Sequence, residues 1–193
     1  NESRFFRNLE DVLISSANQF GFEEIKTPIL EDTNLFIKSI GDSTDIVEKE
    51  MYTFVDAKNN SFSMRPEGTA SCARAIVEHG LNNSINKVWY SGPFFRHERP
   101  QKGRYRQFHQ FGAEFIGVES YEADLEMISL VDFIWSSLNV NPLLKINTIG
   151  DTQDRKKYIL VLLDYFSKYK NDFNEAEKNK LKVNPLRILD SKN

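Results

Sequence analysis

The fold is decided by the segment from residue 96 to residue 114, which reads Arg96-His97-Glu98-Arg99-Pro100-Gln101-Lys102-Gly103-Arg104-Tyr105-Arg106-Gln107-Phe108-His109-Gln110-Phe111-Gly112-Ala113-Glu114. Five cationic side chains surround its Pro…Gly turn, and aromatic residues are frequent on both sides. Long runs of this kind on either side of a turn are typical of paired strands. We therefore expect a hairpin of two long strands, residues 87–97 and 105–117, joined by a cationic turn.

The even-numbered residues of this hairpin share one face, because side chains alternate between the two faces of a strand. They are Arg106, Phe108, Gln110, Gly112 and Glu114 on the second strand and Tyr90, Gly92, Phe94 and Arg96 on the first. We expect Gly112 to leave room for a ligand. We also expect Arg96 and Arg106 to converge on one anion, since a guanidinium donates two parallel hydrogen bonds to phosphate. The face predicts a polyphosphate site at the turn and a small polar pocket toward Glu114; a solvated hairpin tip is the alternative.

A second candidate site is the turn Met64-Arg65-Pro66-Glu67-Gly68-Thr69, between a predicted strand and a predicted helix. At such a corner Glu67 and Thr69 are suited to capping the helix. They are equally suited to binding a ligand ammonium, with Glu67 supplying charge and Thr69 a lone pair. The residues alone leave both interpretations open.

The remaining pattern predicts helices between hairpins. Helical spacing predicts helices over residues 5–20, 33–40, 69–79, 121–138, 155–169 and 174–181. Short strands are predicted at residues 24–29, 51–55, 61–65 and 143–149. On the helix 121–138 we expect a buried stripe of Leu125, Ile128, Val131, Trp135 and Leu138. This order favours an α+β fold with a mostly antiparallel sheet flanked by helices. Residues 1–150 form one predicted domain, and the charged, helical residues 151–193 form a second segment.

Composition narrows the class of protein. The 193 residues are 40% hydrophobic and 27% charged, and the net charge is −3. These values are ordinary for a globular protein and count against a generally basic nucleic-acid-binding surface. No apolar run approaches a membrane span, no signal peptide is evident, and the single cysteine, Cys72, fits a reducing cytosol. His79, His97 and His109 lack metal-ligand spacing, and neither G-x-x-x-x-G-K-[ST] nor G-x-G-x-x-G occurs.

Taken together, these segments resemble the histidyl-tRNA synthetases, within the class II aminoacyl-tRNA synthetases. Residues 95–110 look like the second class-defining motif, and residues 64–69 look like the amino-acid-binding turn. Residues 21–28 are similar to the first motif, whose helix and strand form a dimer interface. Residues 47–54 and 184–192 also look family-like. The resemblance covers nearly the whole chain and implies a class II antiparallel catalytic sheet, incomplete here.

For the turn end of the hairpin, the resemblance implies ATP, bound as its Mg²⁺ complex, with no prosthetic group and no protein metal ligand identified. Arg96 would hold the α-phosphate as the catalytic residue, and Glu98 would bind the adenine amino group. Arg104 would reach the distal phosphates, and Phe108 would stack on adenine.

For the other end of the hairpin, toward Glu114, the resemblance implies L-histidine. Glu67 and Thr69 would hold its α-amino group. Gln110 and Glu114 would face the bound amino acid.

The resemblance further implies transfer of histidine to tRNA(His), a homodimer formed through the first motif, a cytoplasmic location and no membrane partner. We find no Arg-Gly-Leu-Asp-Tyr-Tyr segment and no glycine-rich third motif. We therefore expect a catalytic-domain fragment that is inactive alone, ending in the start of a helical insertion. A non-catalytic synthetase-like protein that regulates or senses histidine or tRNA is the alternative. A plain nucleic-acid-binding hairpin is a third interpretation.

Overall fold

The computed structural model describes residues 2–41, 44, 46–99, 101–147 and 150–189. The chain divides into two compact units, Asn1–Pro142 and Leu143–Asn193. That residues 151–193 begin an insertion before a third motif stays a prediction.

The first unit contains two three-stranded sheets and four α-helices among its described residues. In chain order its elements are α1 (Glu2–Gln19), β1 (Glu23–Glu24), β2 (Leu30–Asp32), α2 (Thr33–Ile40), a π-helical turn (Ile46–Glu50), β3 (Thr53–Val55), β4 (Ser61–Met64), α3 (Thr69–Glu78), β5 (Asn86–Phe95), β6 (Gln107–Ile116) and α4 (Tyr121–Ser137). One sheet has the order β1-β5-β6 and the other β2-β4-β3. Only the β1–β5 pairing among these strands is parallel. The expected α+β fold with a mostly antiparallel sheet is confirmed.

The predicted strand over residues 24–29 is wrong as a single element. The chain leaves the first sheet after Ile25, whose backbone N–H donates to the Trp89 carbonyl at 2.9 Å, and joins the second sheet at Leu30. Pro28 lies between the two pieces and has no N–H to donate to a ladder. The break therefore falls where the sequence cannot sustain pairing.

The hairpin β5–β6 has the face alternation that the sequence predicts. Tyr90 lies opposite Gly112 and Phe94 opposite Phe108, and the Arg96 N–H donates to the Arg106 carbonyl at 2.9 Å beyond the strand ends. Residues directly opposite in an antiparallel pair share a face. The even-numbered side chains consequently form one surface, which is the face that carries the candidate site.

The opposite face of the hairpin packs into the main core. Ala17 of α1, Phe22, Trp89 and Leu130 of α4 are all at most 4% exposed and form its centre. Phe111, Ala113 and Phe115 of β6 pack against this cluster. Two helices therefore cover one side of the hairpin and leave its other side to the site.

The predicted stripe on α4 is wrong. Leu130 and Ile134 are the buried residues of this helix, and Met127 and Leu138 pack beside them, whereas Leu125 is 54% exposed. Of the predicted stripe, only Leu138 lies against this core cluster. Apolar residues occur on two neighbouring faces of α4, and the position of α1 decides which face is covered.

The second unit is helical. It contains α5 (Thr152–Ser167), α6 (Glu175–Val183) and α7 (Leu186–Leu189). Asp151 caps α5, Asn174 and Glu177 form a capping box on α6, and Phe166 packs edge-on against Phe173 at 5.7 Å. The two predicted helices are confirmed to within a few residues.

The strand predicted over residues 143–149 is wrong for the part that the structure describes. Residues 143–147 carry no regular structure, and Leu143 and Ile146 are 82% and 76% exposed. Residues 148 and 149 lie outside the described residues. An apolar alternating run becomes a strand only beside a partner, and within the described part of the chain no strand pairs with it.

Candidate active site on the central hairpin

The N-terminus of α3 is capped by Glu67. Its carboxylate accepts hydrogen bonds from the backbone N–H groups of Thr69 at 2.6 Å and Ala70 at 3.1 Å. The first N–H groups of a helix lack partners within the helix, and the helix dipole favours an anion there. Glu67 thus has a structural role that one of the two sequence interpretations expected. Its binding to a ligand ammonium stays a prediction.

Hydrogen bonds connect the start of α3 to strand β6. The Thr69 hydroxyl donates to Glu114 Oε1 at 2.7 Å. The Gln110 amide donates to the Tyr90 hydroxyl at 3.3 Å, and that hydroxyl lies 3.4 Å from the same Glu114 oxygen. The four residues predicted to bind histidine, Glu67, Thr69, Gln110 and Glu114, therefore form one connected cluster around Tyr90.

The expected space beside Gly112 is filled by the ring of Tyr90. A Cβ atom built on Gly112 would lie 2.2 Å from Tyr90 Cζ, and one built on Gly68 would also lie 2.2 Å from it. The prediction that Gly112 leaves room for a ligand is therefore wrong, because β5 supplies the group that occupies the space. Burial raises the pKa of the Tyr90 hydroxyl, and the charge of Glu114 raises it further.

Cys72 lies behind this cluster, packed with Tyr90 and Phe94. It is fully buried, and burial raises the pKa of its thiol to about 12. A thiol with that pKa is a poor nucleophile at neutral pH. Cys72 is therefore a core residue.

Arg96 and Phe108 form the centre of the turn end. Arg96 Nε donates to the Pro66 carbonyl at 2.9 Å, and its guanidinium carbon lies 5.3 Å from the centroid of the Phe108 ring. A cation over an aromatic face is attracted by the ring quadrupole. Phe94 supports Phe108 from β5, with 6.2 Å between ring centroids. Since Pro66 precedes Glu67, the two ends of the face meet at this turn.

The remaining predicted nucleotide ligands lie on the turn itself. Arg104 Nη1 pairs with Glu98 Oε2 at 3.2 Å, and their side chains are 62% and 18% exposed. The Arg106 side chain is exposed. Its convergence with Arg96 on one anion stays a prediction. The N–H of His97 donates to the Glu50 carbonyl at 2.7 Å, which ties the base of the turn to the π-helical segment.

Sequence reasoning missed two residues of the site. It placed Tyr90 on the correct face without a role, although Gly112 directly opposite was a signal of close packing.

The sequence analysis also overlooked Arg65, which is 6% exposed. Arg65 donates to the carbonyls of Pro93 at 3.0 Å and Thr27 at 2.9 Å, and its guanidinium lies 4.4 Å from the Phe94 ring centroid. Burial lowers its pKa. An arginine directly after a short strand was the available signal.

Neither a metal cluster nor a membrane-spanning helix is found among the residues that the structure describes. No group of three or more His, Cys, Asp or Glu side chains in that part of the chain could hold a metal ion. None of its helices combines the length and the apolar character needed to cross a bilayer.

Comparisons with known proteins agree with this geometry. The family model described as histidyl-tRNA synthetase matches residues 1–149. The histidine–tRNA ligase of Hydrogenovibrio crunogenus is 50% identical over 194 residues, which is 100% of this chain and 46% of that protein. The histidine–tRNA ligase of Legionella pneumophila strain Paris is 48% identical and is matched over 97% of this chain and 45% of its own length. The chain thus spans just under half the length of these curated relatives.

A solved histidyl-tRNA synthetase structure also resembles this chain. The crystal structure of apo S. aureus histidyl-tRNA synthetase is 34% identical and superimposes with a TM-score of 0.70, over 96% of this chain and 44% of that one. Its class II fold is therefore the fold of this chain. With the family model covering more than half of the sequence, the chain belongs to the histidyl-tRNA synthetase family.

Proposed function

We propose that the hairpin face is the ATP- and histidine-binding half of a histidine–tRNA ligase. The activity would join L-histidine to ATP, release pyrophosphate and pass the histidyl group to tRNA(His). One observation carries this proposal: an arginine–aromatic pair and a carboxylate–amide–hydroxyl cluster lie on one strand face and meet at the Pro66–Glu67 turn. That arrangement suits two ligands that react with each other.

At the turn end, Arg96 binds the α-phosphate of ATP and is the catalytic residue. Its guanidinium is held by the Pro66 carbonyl and the Phe108 ring, which leaves the other N–H groups for phosphate oxygens. Phe108 stacks on adenine, Glu98 accepts from the adenine amino group, and Arg104 binds the distal phosphates. The Glu98–Arg104 ion pair has to open for this, at small cost because Arg104 is largely solvent-exposed.

At the other end, Glu67 and Thr69 bind the α-amino group of histidine, and Gln110 and Glu114 face its side chain. The Thr69 hydroxyl already donates to one oxygen of Glu114, so the second oxygen can accept from an imidazole N–H. A pocket that satisfies a polar ligand rejects analogues that leave its buried polar groups unpaired.

The chemistry requires little proton transfer. The α-carboxylate of histidine is the nucleophile, and it is already ionised at neutral pH. It attacks the α-phosphorus, the bond to the bridging oxygen breaks and pyrophosphate leaves with the bonding electrons. Positioning of the two ligands and stabilisation of charge on the phosphorus oxygens then account for most of the rate. Arg96 supplies that charge, together with the Mg²⁺ that accompanies ATP as substrate.

A non-catalytic regulator that binds histidine or tRNA is the second candidate. A solved relative titled ATP phosphoribosyltransferase regulatory subunit/histidyl-tRNA synthetase, from Bacillus halodurans, is 24% identical with a TM-score of 0.59, and this likeness carries the fold alone. Retention of Arg96, Glu98, Arg104 and Phe108 together favours the ligase, because a protein that does not use ATP has no need of all four.

The proposal is tested by measuring histidine-dependent ATP–pyrophosphate exchange with the full-length protein. We expect exchange with L-histidine and none with the other standard amino acids. Histidine binding without exchange would instead identify a regulator. That the 193 residues fail to catalyse exchange on their own stays a prediction, which the same assay on the isolated chain tests.

A homodimer and a cytoplasmic location complete the proposal. The dimer would form through residues 21–28 and the neighbouring helix α1, where Phe5 is 76% and Phe6 44% exposed. Large exposed aromatic side chains on a helix are typical of an interaction surface. Sedimentation of the full-length protein measures the oligomeric state.

A further inference from the structure

Tyr90 is the one large polar side chain of the hairpin face that is buried, at 4% exposed, and the proposed reaction assigns it no role. The Tyr90 ring occupies a slot between the start of helix α3 and strand β6. Gly68, at the start of α3, and Gly112, on β6, each approach the ring so closely that an added Cβ would lie 2.2 Å from Tyr90 Cζ. Neither glycine has a positive φ, so the ring and not the backbone conformation explains why both lack a side chain.

The slot fixes where the Tyr90 hydroxyl lies. It stands 3.3 Å from Gln110 Nε2 and 3.4 Å from Glu114 Oε1. A tyrosine hydroxyl has one hydrogen to donate, and the amide N–H of Gln110 can only donate. The hydrogen bonds therefore run in one direction: Gln110 donates to Tyr90, and Tyr90 donates to Glu114.

This direction decides what the pocket offers to a ligand. The Gln110 amide donates one of its two N–H groups to Tyr90, and its carbonyl oxygen remains an acceptor. Glu114 Oε1 accepts hydrogen bonds from the Tyr90 hydroxyl and from the Thr69 hydroxyl, which lies at 2.7 Å. Glu114 Oε2 is therefore left as a second acceptor. A ligand that presents N–H groups, as imidazole and ammonium do, can donate to both of these oxygens.

The protonation state of the Tyr90 hydroxyl agrees with its role as the hydrogen-bond donor to Glu114. Burial and the neighbouring Glu114 charge raise the pKa of Tyr90, so the group stays a neutral donor across the physiological range.

We propose that Tyr90 is a positioning residue that orients Gln110 and Glu114 as hydrogen-bond acceptors and thereby sets the preference of the pocket for an imidazole N–H. This inference rests on the proposed histidine site. It adds a residue whose hydroxyl acts through two neighbours and whose ring holds the strand and the helix start at a fixed separation.

The test is Tyr90→Phe in the full-length protein, because the phenyl ring still fills the slot while the hydroxyl is lost. In pyrophosphate exchange we expect the KM for histidine to rise roughly tenfold, as a hydrogen bond to a charged group is lost. The KM for ATP should stay within twofold. Discrimination between histidine and β-(2-thienyl)alanine, whose ring has no N–H, should fall by a similar factor.

The matched control is Tyr158→Phe, a tyrosine of α5 that is 48% exposed. It should change neither KM. A histidine KM within twofold of the unmodified protein, or one that rises in parallel with the KM for ATP, overturns the role of Tyr90, and so does unchanged discrimination against thienylalanine. Absence of exchange in the unmodified protein refutes the proposed function itself, so the two failures are distinguishable.

Discussion

The two ends of the hairpin face differ in how their side chains are held. At the Glu114 end, Thr69, Gln110 and Glu114 are joined by hydrogen bonds around the buried Tyr90. At the turn end, Arg104 is 62% exposed and pairs with Glu98 across the turn. One end is fixed by the core behind it, whereas the other includes the long Arg104 side chain, most of which is in solvent.

The difference matches the two proposed ligands. A small polar molecule is discriminated by groups that cannot move to accommodate a wrong one, which requires core packing behind them. A polyphosphate is bound mainly by charge, and flexible cations can adjust to it. Arg96 lies between these extremes, since it is half-buried and held by the Pro66 carbonyl and the Phe108 ring. Substitutions at the two ends should therefore separate the ligands.

Arg96→Ala should have the largest effect. In the full-length protein we expect the adenylation rate to fall at least about 100-fold, because a main source of charge for the transition state is lost. Single-turnover formation of the adenylate measures this directly. Arg155→Ala removes an exposed arginine of the second unit and should leave the rate unchanged. A near-normal rate for Arg96→Ala would refute the catalytic assignment.

Glu114→Gln should weaken histidine about 10- to 100-fold and ATP little. The substitution keeps the shape of the side chain but replaces a charged acceptor that the Thr69 hydroxyl and the Tyr90 hydroxyl both use. The KM values for both substrates in pyrophosphate exchange give the comparison. Equal effects on the two would place Glu114 outside the histidine pocket and remove the distinction between the ends.

Much of this site follows from local rules that a sequence carries. Strand alternation alone puts Phe108, Gln110 and Glu114 on one face, and the register of β5 and β6 confirms it. The hairpin, the cap of α2 by Asp32 and the termination of α3 before the positive-φ residue Gly80 are likewise local.

Other features depend on which elements meet, and these could not be derived. Tyr90 fills the space beside Gly112 only because α3 brings Gly68 to its other side. The buried stripe of α4 depends on where α1 lies, and both of its candidate faces are apolar. The same holds for residues 143–147, where an alternating pattern has no neighbouring strand among the described residues.

Gly112→Ala tests how rigid the Glu114 end is. The new methyl group would lie 2.2 Å from Tyr90 Cζ, so the ring or the strand has to move, and overpacking of this kind costs about 1–3 kcal/mol. Urea denaturation measures the free energy of unfolding. In a Tyr90→Ala background the same substitution should cost much less, because the clashing ring is gone. Equal costs in both backgrounds would mean that Tyr90 does not fill that space.

Arg104→Ala should have the smallest effect and should depend on salt. The residue is largely exposed, and exposed charge pairs contribute at most about 1 kcal/mol, so we expect the KM for ATP to rise about fivefold or less and the KM for histidine to stay unchanged. Raising the ionic strength should shrink the effect, since solvent ions screen exposed charges. Lys102→Ala removes another exposed cation of the same turn and should raise the KM for ATP less than twofold. An equal rise for Lys102→Ala would mean that the turn binds ATP through its summed charge and not through Arg104, and the contrast between a specific end and an adjustable end would then become sharper.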